Sequence, residues 1–177
     1  MAIIIKDRNV VSDPWQRLEL AADGKLPAEL PAGGVIVPLA LWQGRREALL
    51  GRTGRLGVWL NSNEDPAAIA EDLRHFDVVA VNFPKFGDGR GFSTARLLRE
   101  RYGWKGELRA IGDVFRDQIF YLASCGFNAF VLRDGEDPQE ALAGFSVFSD
   151  SYQGSVERPL PLFRRRPAGA RDGTAGS

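Results

Sequence analysis

Asp77-Val-Val-Ala-Val-Asn-Phe-Pro-Lys-Phe-Gly-Asp-Gly-Arg-Gly-Phe-Ser93 is the stretch from which the fold is read. Its first residues form an apolar, β-branched run suited to a strand buried on both faces, and Pro84 closes it. The segment Phe83 to Ser93 is a glycine-rich loop that holds Lys85, Asp88 and Arg90. Downstream, Thr94 to Tyr102 places Ala95, Leu98 and Tyr102 on one helical face, and Gly103 stops it. A strand, a polar loop and a helix in that order make a βα unit. Its loop offers backbone N–H groups and cations to an anion.

The same unit recurs on either side. Val35–Leu39, Leu56–Leu60, Glu107–Ile111 and Phe127–Leu132 read as further strands, and Leu41–Leu50, Pro66–Phe76, Val114–Cys125 and Pro138–Gly144 as helices. Asp65, Asp113 and Asp137 stand where N-caps belong, and Pro66 takes a first helical position. Strand starts near 35, 56, 77, 107 and 127 predict about five successive βα units with a mainly parallel sheet. That sheet is either open or an incomplete TIM-like barrel, because a closed eightfold barrel takes ~250 residues. Residues 1–34 form a β segment and loop within the same domain: Ala2–Ile5 is a strand, Asp7-Arg8-Asn9 a turn, and Val10-Val11 the return of a hairpin. The α/β domain runs over 35–163, and the composition of 164–177 is that of a disordered tail.

Composition narrows the function classes. Lys plus Arg equals Asp plus Glu at 23 each, so no net charge drives binding to nucleic acid or to an acidic membrane. One cysteine, Cys125, cannot form an internal disulfide or a four-cysteine iron–sulfur cluster, and with one histidine, His75, little remains for zinc. Cys125 reads as a buried, inert thiol and His75 as a helix-end cation. The N-terminal apolar run is shorter than a signal peptide and no window approaches ~20 apolar residues, which predicts a cytoplasmic protein.

In parallel α/β folds ligands sit beyond the carboxyl ends of the strands. Three successive ends here are polar: Lys85, Asp88 and Arg90 on the third, Gly112-Asp113 with Arg116 on the fourth, and Arg133-Asp134-Gly135 on the fifth. Lys85, Gly87, Gly89, Arg90, Arg116 and Arg133 are the candidate anion-binding residues, and Asp88 and Asp113 the candidate acids or bases. Each has a plainer reading, Asp113 as a helix cap and the glycines as turn formers. Gly87-Asp-Gly-Arg-Gly91 lacks the spacing of a dinucleotide fingerprint and of a Walker loop. The cofactor therefore stays unassigned.

Phe83-Pro-Lys-Phe-Gly-Asp-Gly-Arg-Gly-Phe-Ser-Thr-Ala-Arg-Leu-Leu-Arg99 and Gly112-Asp-Val-Phe-Arg-Asp-Gln-Ile-Phe-Tyr-Leu-Ala-Ser-Cys-Gly-Phe-Asn-Ala-Phe130 resemble a proteobacterial family of unknown function. Its members are encoded beside assimilatory sulfite reductase and are often labelled probable oxidoreductases of sulfite reduction. The resemblance covers roughly residues 30–165. It implies a place in sulfur assimilation and cysteine biosynthesis, as an accessory protein that binds a small anion, a tetrapyrrole-type ligand or sulfite reductase itself. Two other readings stand beside it. One is an enzyme acting on a small anionic substrate at the strand rim, and the other a structural subunit that forms a homo-oligomer through an open barrel edge.

Overall fold

The hairpin at the N-terminus forms because Asp7 and Arg8 both take left-handed backbone, at φ 48 and 66. That two-residue geometry suits the right-handed twist of the paired strands β1 (Ile3–Lys6) and β2 (Asn9–Ser12). A computed structural model describes residues 2–25, 27–85 and 88–148, the last four by backbone alone. Gly87, the stretch 149–163 and the predicted tail 164–177 lie outside the described residues.

Six parallel strands follow: β3 (Gln16–Arg17), β4 (Val35–Pro38), β5 (Leu56–Leu60), β6 (Val78–Phe83), β7 (Glu107–Gly112) and β8 (Ala129–Phe130). Neighbours in sequence are neighbours in the sheet, whose order is β2-β1-β8-β7-β6-β5-β4-β3, with β1 antiparallel to β8. The fold is therefore a mixed α/β fold with an open, curled, mostly parallel sheet of eight strands.

Its two edges, β2 and β3, are joined by Asp13-Pro14-Trp15 alone. Four Cα–Cα steps of 3.8 Å span at most ~15 Å, so this link requires the sheet to curl until its edges nearly meet. Eight strands fit into so short a chain because the antiparallel hairpin replaces a long crossover with a two-residue turn.

Right-handed crossovers between sequential neighbours put every connecting helix on one face. That convex face carries the main core, with Val37, Val58, Val79, Val81, Leu108 and Phe127 fully buried beneath the helices. The alternate strand residues Ile36, Val78, Ala80 and Ile111 face inward with Trp15 and form a second, smaller cluster.

A regular five-unit scheme is too simple for the crossovers. The expected helix Leu41–Leu50 is broken at Arg45 (φ −133, ψ 35) into α1 (Leu39–Gly44) and α2 (Arg46–Leu50). Pro66–His75 winds as a 3-10 helix, capped by Asp65, which accepts from Ala67 N at 2.9 Å. The helix expected from Thr94 begins at Arg90, as α3 (Arg90–Arg96), and continues as a π-helical turn, Leu97–Arg101. Gly91 thus serves helix packing rather than loop freedom, because a Cβ there would stand 2.5 Å from Phe83 Cε1. Val114–Cys125 resolves into a 3-10 turn, Arg116–Gln118, and α4 (Ile119–Ser124). The last helix is α5 (Pro138–Phe148), and Asp137 accepts from Gln139 N at 2.8 Å in its first turn.

Candidate functional site

The carboxyl ends of β5 and β6, neighbours in the sheet, bring polar side chains together. Asn82 Nδ2 donates to Asn61 Oδ1 at 3.1 Å, and that oxygen also accepts from Ser62 N at 2.9 Å. Arg90 reaches across from the start of α3 and donates to Ser62 Oγ at 3.0 Å. The same guanidinium grips Asp88 through Nε at 3.1 Å and Nη2 at 2.9 Å, and the Arg90 backbone N–H donates to Asp88 Oδ1 at 3.1 Å. These donors, with Arg90's side chain first among them, hold the Asp88 carboxyl well below the usual carboxylate range. The anion accepted at the start of α3 is thus the loop's own carboxylate. Lys85 is exposed at the end of β6. Gly89 has helical backbone (φ −80), and a notional Cβ there would meet Phe92 Cδ2 at an ordinary 4.0 Å, so no conformational demand requires glycine there.

Beyond β7 the backbone turns at Gly112 (φ +93), where a Cβ would strike Asn82 Oδ1 and come within 2.5 Å of Phe83 O. The turn sends Asp113 N to Phe83 O at 2.7 Å. Asp113 does not cap the next helix as expected, because Val114 and Phe115 intervene and Phe115 stands at the cap. Its carboxylate instead meets Arg133 at 3.5 Å, and the Arg133 guanidinium lies 4.3 Å from the Phe115 ring centre. Arg116 turns away toward α5, to Glu140 and to Glu136 at 3.8 Å. The predicted rim is therefore three local groups, centred on Arg90, Arg133 and Arg116, each with its own carboxylate.

A fourth constellation, within the curl, was not found by reading strand ends. Arg109 lies in the middle of β7 on the inward face, 2% exposed. Its Nε donates to Glu107 Oε1 at 2.8 Å and its Nη1 to Asp13 Oδ2 at 2.9 Å. Glu107 Oε2 takes Lys6 Nζ at 3.0 Å from β1. Four alternating charges thus cross β1, β7 and the link between the sheet edges. Beside them opens a cavity of about 470 Å³, lined by Asp13, Trp15, Arg17, Arg109, Arg133 and Asp134. Ile36, Ile111 and Val131 supply apolar wall. The one local signal was the alternation Glu107-Leu-Arg109, polar on the face that a fully buried strand would keep apolar.

Among the described candidate anion-binding residues Arg133 reaches this cavity, together with Gly112 and Asp134 from the same predicted polar strand ends. Arg17 joins it from β3, paired with Glu19 at 3.0 Å and 6.0 Å from the Trp59 ring centre. Cys125 is fully buried at the end of α4, where burial pushes its thiol up despite the nearby Arg96. His75 ends the Pro66–His75 helix beside Arg74. Among the described residues no three His, Cys, Asp or Glu side chains converge as a metal site, and no helix is long and apolar enough to cross a membrane.

The family model described as "Bacterial protein of unknown function (DUF934)" matches residues 57–163, and the chain belongs to that family. No curated protein and no solved structure matches it.

Proposed function

We propose that this protein is an accessory factor of assimilatory sulfite reduction and cysteine biosynthesis that binds a small ionised ligand inside the mouth of its curled sheet. The cavity carries the binding half of the reading. It lies at the carboxyl ends of β7 and β8, and it holds Arg17, Arg109 and Arg133 among buried apolar side chains. The pathway half rests on the resemblance of the motifs at 83–99 and 112–130 to a family encoded beside sulfite reductase. Volume favours a small ligand. At ~30 Å³ per water-sized group, the cavity holds roughly 16 non-hydrogen atoms, far fewer than a tetrapyrrole macrocycle carries.

An enzyme using Asp88 or Asp113 as its base is less well supported. Both carboxylates are engaged by guanidinium groups, and one held below the usual range is a weaker base at neutral pH. Deletion in a bacterium that carries the gene tests the pathway. Growth should fail on sulfate and return on sulfide or cysteine, and Arg133→Gln should complement poorly although it folds. Normal growth of the deletion strain on sulfate, with no effect on the yield or cofactor content of sulfite reductase, would overturn it.

A further inference from the structure

The charge pattern of the cavity narrows the ligand further than its size does. Three guanidinium groups line it, from Arg17, Arg109 and Arg133, against the carboxylates of Asp13 and Asp134. Glu107 sits directly behind Arg109 at 2.8 Å, and every one of the three guanidinium groups already has a carboxylate partner, so the cavity carries both signs rather than a free positive field. A simple anion such as sulfite or phosphate would meet Arg133 with Asp134 beside it, and to reach Arg109 it would have to displace Asp13 from a 2.9 Å contact. That displacement leaves a carboxylate with only one-ninth of its side chain exposed, at 11%, without its cation. A ligand bearing both signs leaves the buried Asp13–Arg109 contact intact and competes only with the more exposed partners Asp113 and Glu19. Its carboxylate lies toward Arg133 and Arg17, and its ammonium toward Asp134 and Asp13. The remaining wall, Trp15, Ile36, Ile111 and Val131, is apolar and asks for an uncharged, apolar side chain.

From this arrangement we infer that the cavity is a site for a zwitterionic α-amino acid with an apolar side chain. The inference rests on the ligand-binding reading above and specifies it. An amino acid of this kind has fewer non-hydrogen atoms than the roughly 16 the cavity accommodates, which leaves room for bridging water.

The test uses the full chain, isotope-labelled, with chemical shifts of the Trp15 indole and the Arg109 guanidinium as reporters. The probes are L-leucine, L-methionine and L-phenylalanine, then 4-methylpentanoate and 3-methylbutylamine as leucine without its amine and without its carboxylate. Sodium sulfite and phosphate complete the set. At least one amino acid should bind saturably, and each truncated analogue should bind at least tenfold more weakly than leucine. Arg133→Gln and Asp134→Asn, both at exposed residues, should each weaken amino-acid binding about tenfold without loss of folding. Equal binding of 4-methylpentanoate and leucine, or saturable binding of sulfite or phosphate alone, would overturn the zwitterion inference and leave the ionised-ligand reading standing. Shifts from none of the probes would overturn both.

Discussion

Replacing Arg109 tests whether the interior charges hold the sheet edge in place. Arg109→Met keeps the length of the side chain and removes the charge. Glu107 then retains Lys6 at 3.0 Å, whereas Asp13, among the described residues, keeps the Trp15 backbone N–H at 3.1 Å and loses its cation. Breaking a buried ion pair by removing one partner costs about 3–5 kcal/mol, and with Glu107 still partnered the lower end, about 3 kcal/mol, applies. For a chain of this size about 1 kcal/mol moves the melting point by roughly 2–4 °C, so a fall of about 6–12 °C is expected. The triple variant Asp13→Asn, Glu107→Gln, Arg109→Met removes the charges together and should recover to within about 1.5 kcal/mol of the parent, because neutral replacements escape desolvation. Lys6, with 42% of its side chain exposed, can be solvated in that variant. Urea unfolding followed by far-ultraviolet circular dichroism gives both numbers. A single variant within about 1 kcal/mol of the parent, or a triple variant no better than the single, would refute the reasoning.

Three further outcomes follow from local geometry. Gly112→Ala forces a side chain into left-handed backbone at φ +93 against Phe83 O, and should cost about 2–3 kcal/mol in urea melts; a loss below about 0.5 kcal/mol would contradict the turn. Asp88 is held below the unfolded carboxyl value of about 3.9 by Arg90, so its contribution is fully present above that value and disappears as pH falls through the lower folded one. Urea midpoints of the parent and Asp88→Asn should therefore differ equally at pH 7 and pH 5 and converge only in strong acid; a difference that stays constant down to pH 2 would show the shift to be absent. The Cys125 thiol, fully buried and pushed up by burial, should resist iodoacetamide at pH 8 for as long as the urea-unfolded chain takes to react completely, as read by mass spectrometry.

Local chemistry made much of the scaffold legible. The apolar runs at 35–38, 56–60 and 78–83 are strands because such residues fit a sheet covered on both faces, and Asp65 and Asp137 cap because a carboxylate is a good partner for free N–H groups. The glycine loop was harder to read. Gly91 looked like loop freedom, but the Phe83 ring fills the space its side chain would need, a contact between a strand and the helix that follows it. Asp113 looked like a cap, but the turn at Gly112 delays the helix by two residues and hands its carboxylate to Arg133, twenty residues away along the chain.

The inner face was the least legible part. Period-two alternation says that Glu107, Arg109 and Ile111 share a side of β7, yet not what that side meets. Asp13 and Arg109 are separated by 96 residues, and no spacing rule connects them. The amino-acid sequence alone determined most of the strand segments, where several helices start, and that the sheet is mainly parallel, because those follow from side-chain shape, capping and short connections; the two-residue strand Gln16–Arg17 is too short to show a pattern of its own. Only the tertiary structure decided that the sheet curls around a charged interior. A three-residue link between its outermost strands draws the two edges together, and that closure converts residues scattered from Ala2 to Asp134 into one cavity.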